Sequence, residues 1–177
     1  DAGPGSLRDA INFTNATPDN LITFNIPGPG VHTIQPLSAL PDITDAVKID
    51  GTSQPGYAGV PLIQLTGASA PGAAGLHIVS GNSVVTGLTI NRFNQGIFLD
   101  RRGQNVIQGN YIGTDVTGTQ ALGNFYGVLF TGNDNLIGGA GGLVNGRLGG
   151  LGNLISGNQS AGIASTGRCT RPMPAST

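Results

Sequence analysis

Residues 75–99, GLHIVSGNSVVTGLTINRFNQGIFL, contain the repeat that decides the fold. One segment of this stretch begins with a glycine that precedes an aliphatic residue, and it recurs along the chain. Its copies begin at Gly75, Gly96, Gly127 and Gly162. A second segment begins with asparagine and lies between the copies of the first. Its copies begin at Asn82, Asn105, Asn135 and Asn153. Two short segments that alternate in this way are typical of a solenoid, in which each repeat packs only on its neighbours.

Stacking the repeats as parallel strands places equivalent residues in columns, about 4.8 Å apart from one repeat to the next. Successive side chains of a strand point to opposite faces, so the inward columns should be aliphatic. The predicted inward columns are Leu76, Ile97, Val128 and Ile163; Ile78, Leu99 and Phe130; and Val84, Ile107, Ile137 and Ile155. An asparagine at each corner can bond backbone groups that the turn leaves free, and also the asparagine of the next repeat. The predicted asparagine ladder consists of Asn82, Asn105, Asn135 and Asn153.

The composition favours strands and turns over long helices. All nine acidic residues are Asp, Lys48 is the only lysine, and 31 residues are Gly, which suits many turns between short strands. One helix is predicted over residues 5–16, with Ser6 as its N-cap. The predicted fold class is therefore all-β: a right-handed parallel β-helix solenoid with a short N-terminal capping α-helix, forming a single domain over residues 1–166.

Two insertions interrupt the repeat. Residues 113–125 are predicted to form a loop that leaves one corner, and such insertions often gather on a binding face. The glycine-rich stretch between Gly138 and Asn153 contains no Asp, so it does not match the calcium-binding nonapeptide repeat.

The last eleven residues, 167–177, break the pattern abruptly. They hold the only Cys and the only Met and lack strand alternation, so we interpret them as a disordered or non-native tail. A stack that stops before them has an open parallel edge, which invites pairing with another chain. The sequence therefore predicts a homo-oligomer through the C-terminal end of the stack.

Charge and hydropathy exclude two classes of function. The net charge is −1 and no run of Lys or Arg occurs, so a nucleic-acid partner is not predicted. No apolar run approaches the roughly 18 residues that a membrane-spanning helix needs. No cofactor is predicted either.

Several motifs resemble those of bacterial right-handed parallel β-helix repeat proteins of the pectin-lyase-like superfamily. The residues SLRDAI at 6–11 match the S-L-R-x-A-I segment with which some of these proteins open, and the resemblance extends over roughly residues 1–166. Its further motifs are ITFNIPG, VKIDGTSQPG, LTINRF, NYIGTDVTGT and NLISGN. The resemblance implies an extracellular or cell-surface location, because members are commonly large extracellular proteins. It supplies no catalytic residues that could be transferred one by one.

Enzymes of this superfamily cleave polysaccharides with carboxylates and a basic residue on the outer strand face. The candidate catalytic residues here are Asp50, Asp100, Arg101 and Arg102. Inverting hydrolysis needs two carboxyl groups about 6.5 to 9.5 Å apart. Aligning the repeats puts Asp50 in a column with Asn91 and Gly113, and puts Asp100 beside Thr131. No predicted column holds two carboxylates, which favours structural roles for both aspartates.

Two other sites are predicted on the outer surface. His77, Phe98 and Leu129 form an outward column, which is a candidate binding surface for a sugar ring or a partner chain. The alternative is that the loop 113–125 folds over this column. Asp115 is a candidate calcium ligand, although one carboxylate supplies little affinity.

The sequence leaves two functions open. The first is a non-catalytic extracellular β-helix module of a bacterial surface or secreted protein, which acts as a rigid spacer or contacts glycans. The second is a polysaccharide-cleaving or other hydrolytic enzyme with its site near Asp100 and Arg101.

Overall fold

The computed structural model describes residues 2–17, 20–139, 141–144, 147–150 and 152–166. The predicted tail, residues 167–177, lies outside this range. Within it the chain is mostly β, with three parallel sheets and one helix at the N-terminal side.

Helix α1 (Leu7–Ala16) forms where the sequence predicts it. Ser6 is the N-cap, and its hydroxyl oxygen accepts a hydrogen bond from the Asp9 backbone N–H at 3.1 Å. This bond satisfies one of the donors that a helix start leaves free. Leu7, Ile11 and Thr14 form the buried face, so the helix packs its apolar side onto the end of the core.

The strands are short, as the many turn residues predict. In chain order they are β1 (Leu21–Thr23), β2 (His32–Ile34), β3 (Lys48–Asp50), β4 (Ile63–Thr66), β5 (Ala74–Ile78), β6 (Val84–Thr86), β7 (Leu88–Asn91), β8 (Gln95–Leu99), β9 (Val106–Gln108), β10 (Tyr111–Ile112), β11 (Tyr126–Phe130), β12 (Leu136–Ile137), β13 (Gly141–Val144), β14 (Arg147–Gly150), β15 (Leu154–Ile155) and β16 (Ala161–Ser165). A short 3-10 helix, Gly51–Ser53, follows β3.

Successive strands visit the three parallel sheets in turn. Sheet 1 has the order β1-β3-β6-β9-β12, sheet 2 the order β2-β4-β7-β10-β15, and sheet 3 the order β5-β8-β11-β16. We call each set of three successive positions, one per sheet, a coil. Coil 1 contains β1 and β2, and coil 2 contains β3, β4 and β5. Coil 3 is β6, β7 and β8; coil 4 is β9, β10 and β11; coil 5 is β12, β15 and β16. In coil 1 the sheet 3 position is taken by Ile43, which forms a parallel bridge to Ile78 of coil 2.

Two of the three predicted inward columns are confirmed. Sheet 3 pairs Leu76 with Ile97, Ile97 with Val128, and Val128 with Ile163. The neighbouring column of Ile78, Leu99 and Phe130 has the same register. The first three members of the first column are buried in the core cluster, so the aliphatic repeat fills the space between the sheets.

The third predicted column is wrong at its first member. Ile107 pairs with Val85, not with Val84. Aligning the repeats on Asn82 and Asn105 produces this shift of one residue, because Asn105 actually lies opposite Ser83, one residue further on. A slip of one residue moves a side chain to the other face of the sheet, which is why Val85 is buried and Val84 is not.

The same column is wrong at its last member. Ile155 pairs with Ile112 in sheet 2, whereas Ile137 occupies the predicted column in sheet 1. Between them the glycine-rich insertion forms the antiparallel hairpin β13–β14. The insertion separates two strands of one coil, so the two N-L-I segments belong to different sheets.

The predicted asparagine ladder exists in part. The Ser83 N–H donates to the Asn105 side-chain oxygen at 3.0 Å, and the Asn105 N–H donates to the Asn135 oxygen at 3.1 Å. We call this series the first ladder. Asn82 is not a member, because it adopts a left-handed turn conformation, φ 58°, and its N–H donates to Gly103.

Two further ladders follow the other corners. In the second ladder the Leu88 N–H donates to Asn110 and the Asn110 N–H to Asn153, both at 3.0 Å. In the third ladder the Phe93 N–H donates to Asn124 at 3.0 Å and the Asn124 N–H to Asn158 at 3.2 Å. Asn153, predicted in the first ladder, therefore belongs to the second.

Candidate functional site

Asp50 is bound by residues of its own strand and turn. Its carboxylate lies 2.7 Å from the Lys48 ammonium and accepts hydrogen bonds from the Thr52 N–H and hydroxyl. Burial alone would raise the pKa of Asp50, but the bonds from Lys48 and Thr52 and the Lys48 charge outweigh it, and the pKa lies below its ordinary value. The carboxylate is therefore ionised at neutral pH, and its oxygens are bound by Lys48 and Thr52.

The predicted column of Asp50, Asn91 and Gly113 is wrong at Asp50, whereas the register of sheet 2 places Gly113 opposite Asn91. Asp50 ends β3 of sheet 1, where it pairs with Thr23 and Thr86. Asn91 ends β7 of sheet 2. The segments VKID and LTIN look alike because each is a strand that ends at a corner. The first ends at the corner between sheets 1 and 2, and the second at the corner between sheets 2 and 3.

A tyrosine lies near Asp50. Burial raises the pKa of the Tyr57 phenol, and the neighbouring Tyr111 and Asp50 raise it further. The phenol therefore stays protonated at neutral pH, and it has no free oxyanion with which to act as a base.

Asp100 lies beside Thr131, as predicted. The Thr131 hydroxyl donates to the Asp100 carboxylate at 2.9 Å and accepts from the Arg101 backbone N–H at 2.7 Å. The Arg101 Nε is 3.5 Å from the same carboxylate, but its side chain is largely exposed. Arg102 is exposed in the next turn. Asp100 and its two arginines thus form one corner of the surface, between sheets 3 and 1.

The column of His77, Phe98 and Leu129 has the predicted register. The imidazole and phenyl rings stack with their centroids 4.8 Å apart and their planes within 4°. Leu129 is only 7% exposed. The stack covers one face of each ring, so less aromatic surface is left for a sugar ring than two separate rings would offer.

His77 also contacts two carboxylates. Its Nδ1 lies 2.7 Å from Asp42, and its Nε2 lies 3.7 Å from Asp100. Nε2 is buried and has no hydrogen-bond partner in the described residues. We call these three residues the histidine cluster. Asp42 precedes Ile43, so the cluster ties the sheet 3 segment of coil 1 to coils 2 and 3.

The candidate carboxylates do not meet. Asp50 closes a strand of sheet 1 at the corner with sheet 2, whereas Asp100 follows a strand of sheet 3 at the corner with sheet 1. The carboxylate that is linked to Asp100 in this arrangement is Asp42, which the sequence prediction missed. His77 lies between the two and contacts both. The segment that contains Asp42 has no strand alternation that could have indicated this.

Asp115 organises its own loop. One carboxylate oxygen accepts from the Thr119 and Gln120 N–H groups, and the other accepts from the Thr117 hydroxyl. Burial alone would raise the pKa of Asp115, but these hydrogen bonds together outweigh it, and the pKa lies below its ordinary value. The loop also lies against sheet 2, since Gly118 faces the side chains of Tyr111 and Leu154.

A groove that the sequence prediction missed lies at the corner between sheets 2 and 3. Its volume is about 500 Å³. Its walls include Arg92, Asn94, Phe125 and Gln159. Phe125 is 44% exposed and packs edge-on against Tyr126. We call this the corner groove, and it combines an open aromatic ring with amides and a guanidinium group.

Neither a metal-binding cluster nor a membrane-spanning helix is found among the described residues. No group of three His, Cys, Asp or Glu side chains there could hold a metal ion. In the same part of the chain no helix has the length and apolar character needed to cross a membrane. The histidine cluster and the corner groove are two of the described features available for chemistry or binding, beside a groove of about 530 Å³ whose lining includes Leu7, Ile22 and Ile34.

Comparison with known proteins finds no family model, no curated protein and no solved structure that matches this chain.

Proposed function

We propose that this chain is a right-handed parallel β-helix module of the pectin-lyase-like kind, and that it serves as a rigid, non-catalytic part of an extracellular or cell-surface protein. The regular passage of the strands through three parallel sheets supports the solenoid. Connections between parallel strands of one sheet are right-handed in nearly all proteins, which supports the handedness. The motifs given above support the superfamily.

The observation that carries the non-catalytic role is that the aspartate carboxylates are already engaged in hydrogen bonds within the protein. Asp50 and Asp115 accept hydrogen bonds from the turns in which they lie, and Asp100 accepts one from the Thr131 hydroxyl of the next coil. A general acid or nucleophile of a glycosidase needs a free carboxyl group facing the substrate and a second one at a set distance. These carboxylates instead fix turns, as a structural module requires.

Within this proposal, the corner groove contacts glycans. Phe125 presents an aromatic surface to a sugar ring, while Asn94, Gln159 and Arg92 line the same groove and suit hydroxyl or carboxylate groups. The Arg92 guanidinium group has no partner within the described ranges. The groove therefore replaces the column of His77, Phe98 and Leu129 as the preferred contact surface.

A binding assay against neutral and acidic polysaccharides tests the glycan contact. We expect the Phe125→Ala variant to lose most of the binding. The matched control is Phe13→Ala, because Phe13 is 56% exposed on α1 and lies outside the groove. Equal binding by both variants, or no binding by the wild type to any polysaccharide, rejects the glycan contact.

The second candidate is a hydrolase that uses the histidine cluster. The observation in its favour is that one imidazole lies between two carboxylates. Against it, the described contacts of the ring include no hydroxyl that could act as a nucleophile, and Nε2 is buried.

Incubation with a polysaccharide and ester panel separates the two functions. We expect no turnover by the wild type. Turnover that Asp100→Asn abolishes and that the exposed control Asp134→Asn retains would establish the hydrolase instead.

A further inference from the structure

Three buried side chains of sheet 2 carry oxygens that have no hydrogen-bond partner among the described residues. They are the hydroxyl oxygens of Thr66 and Thr89 and the side-chain carbonyl oxygen of Asn91. The exposed fractions of these residues are 2%, 0% and 0%. The large majority of buried polar side chains in folded proteins are bonded to protein or to ordered water. Three such oxygens on one sheet therefore indicate a ligand.

The three oxygens belong to one patch on the outer face of sheet 2. Thr66 is paired with Asn91, and Thr89 lies two residues before Asn91 on the same strand. Alternate residues of a strand share a face. The neighbouring residues Leu65 and Ile90 belong to the hydrophobic core, so the three polar side chains point away from it. We call Thr66, Thr89 and Asn91 the outer polar patch.

The insertion that follows β10 is bound to this patch. The Asn91 amide nitrogen donates to the Thr114 carbonyl at 3.0 Å. The Arg92 N–H donates to the Leu122 carbonyl at 3.2 Å, and Thr114 forms an antiparallel bridge with Ala121. Both ends of the insertion are thus held beside Asn91. Its amide nitrogen is used by this contact, whereas its oxygen remains for a ligand.

The chemistry of the oxygens selects the ligand. The Asn91 oxygen only accepts hydrogen bonds, so the ligand must donate to it. The Thr66 hydroxyl can donate, so a ligand that bridges the pair accepts from Thr66 and donates to Asn91. Water does both, and a buried water typically makes about three hydrogen bonds. A metal cation fits less well, because the three oxygens are uncharged and hard cations are held chiefly by carboxylates.

We propose that the outer polar patch is an internal binding site for ordered water, enclosed between sheet 2 and the insertion. One water bridges the Thr66 hydroxyl and the Asn91 oxygen, and the Thr89 hydroxyl bonds a water of the same site. The insertion, residues 113–122, therefore encloses a hydrated polar site. The proposal depends on the register of sheet 2 and not on the glycan contact or the non-catalytic role.

A crystal structure and NMR of the full chain test this site directly. We expect an electron-density peak within hydrogen-bond distance of Thr66 Oγ1 and Asn91 Oδ1. We also expect cross-relaxation between water and the side-chain amide protons of Asn91, with NOE and ROE of opposite sign. That sign pattern marks a water that stays bound while the protein tumbles, and it differs from the pattern of chemical exchange.

The Thr66→Val variant separates a hydroxyl that binds water from one that has no partner. Valine has nearly the shape of threonine but lacks the hydroxyl. We expect the variant to lose the cross-relaxation at Asn91 and to unfold at a lower urea concentration than the wild type. If the hydroxyl has no partner, its removal takes away a costly buried polar group, and the urea midpoint rises. A raised midpoint therefore overturns the proposal.

The matched control is Thr33→Val. Thr33 pairs with Gln64 on the same outer face of sheet 2, but its side chain is exposed. We expect this variant to keep both the cross-relaxation at Asn91 and the wild-type urea midpoint. Loss of the cross-relaxation in the control as well as in Thr66→Val overturns the assignment of the water to the outer polar patch.

Two structural outcomes also overturn the proposal. One is a direct hydrogen bond between Thr66 and Asn91 with no density peak between them. The other is a peak with the coordination distances of a cation, together with a urea midpoint that changes when potassium replaces sodium at equal ionic strength.

Discussion

The two ends of the stack differ in what covers the last coil. At the N-terminal side α1 places the buried side chains of Leu7 and Ile11 over the core. At the C-terminal side Ile163 is half exposed, although its strand has the register of the buried strands before it. The comparison teaches that burial in this molecule comes from the neighbouring coil, and not from the strand that carries the residue.

The largest expected effect comes from two substitutions in one column. Ile97→Ala removes a fully buried side chain between two coils and should lower the free energy of unfolding by about 2–5 kcal/mol. Ile163→Ala removes the same atoms at the uncovered end and should cost less than half as much. Urea denaturation measures both values. Equal losses would contradict the difference between the ends.

The second effect concerns the asparagine ladders. Asn110→Ala leaves the buried Leu88 N–H without its acceptor and removes a hydrogen bond to the Val85 carbonyl. Each buried polar group that loses its partner costs about 1–3 kcal/mol, so we expect a loss in that range by urea denaturation. Asn153→Ala, one coil nearer the open end, should cost less because water reaches the freed groups. A larger loss for Asn153→Ala would show that the open end is not solvated as described.

The third effect concerns the covered end. Ser6→Ala removes the N-cap bond to the Asp9 N–H and should lower the free energy of unfolding by about 1 kcal/mol. Ser160→Ala, at an exposed turn near the open end, serves as the control and should have no measurable effect. If the two variants have equal thermal midpoints, the Ser6 N-cap contributes nothing to the stability of the end that α1 covers.

The smallest effect concerns the Lys48–Asp50 ion pair in coil 2. Asp50→Asn should cost less than about 1 kcal/mol at pH 7, because the Lys48 partner is half exposed. The pKa of Asp50 is lower in the folded state than its ordinary value of 3.8. The stability that the carboxylate contributes is therefore present above that value and is lost as the pH falls through the folded pKa.

Thermal unfolding of the wild type and Asp50→Asn at a series of pH values measures this difference. We expect the gap between their midpoints to close below pH 3.8. A gap that widens on acidification would mean that the aspartate is destabilising in its ionised form.

The sequence predicts the columns of sheet 3 because a glycine is the second residue of each strand and the strands, of five residues each, are long enough to fix the register. It fails at Val84 and Ile155, where strands of two or three residues carry little alternation. There the asparagine at the corner misleads, since Asn82 fills a left-handed turn and Asn105 a ladder position. Asparagine therefore has two different roles at this corner: one in the turn and one in the ladder, at positions that differ by one residue.

The candidate site was less predictable than the fold. The partnership of Asp100 with Thr131 follows from the register, so the sequence finds it. The approach of Asp42 to His77 and the corner groove around Phe125 arise from segments outside the repeat. Their positions depend on how insertions and turns pack, which no periodicity in the sequence indicates.

The central claim is that equivalent segments stack in parallel, one coil above the next. NMR contacts between the backbone amides of adjacent strands test it most directly in sheet 3. The account predicts that contacts connect Leu76 with Ile97 and Ile97 with Val128, and that they advance in the same direction along all three strands. Contacts that advance in opposite directions along neighbouring strands would contradict it.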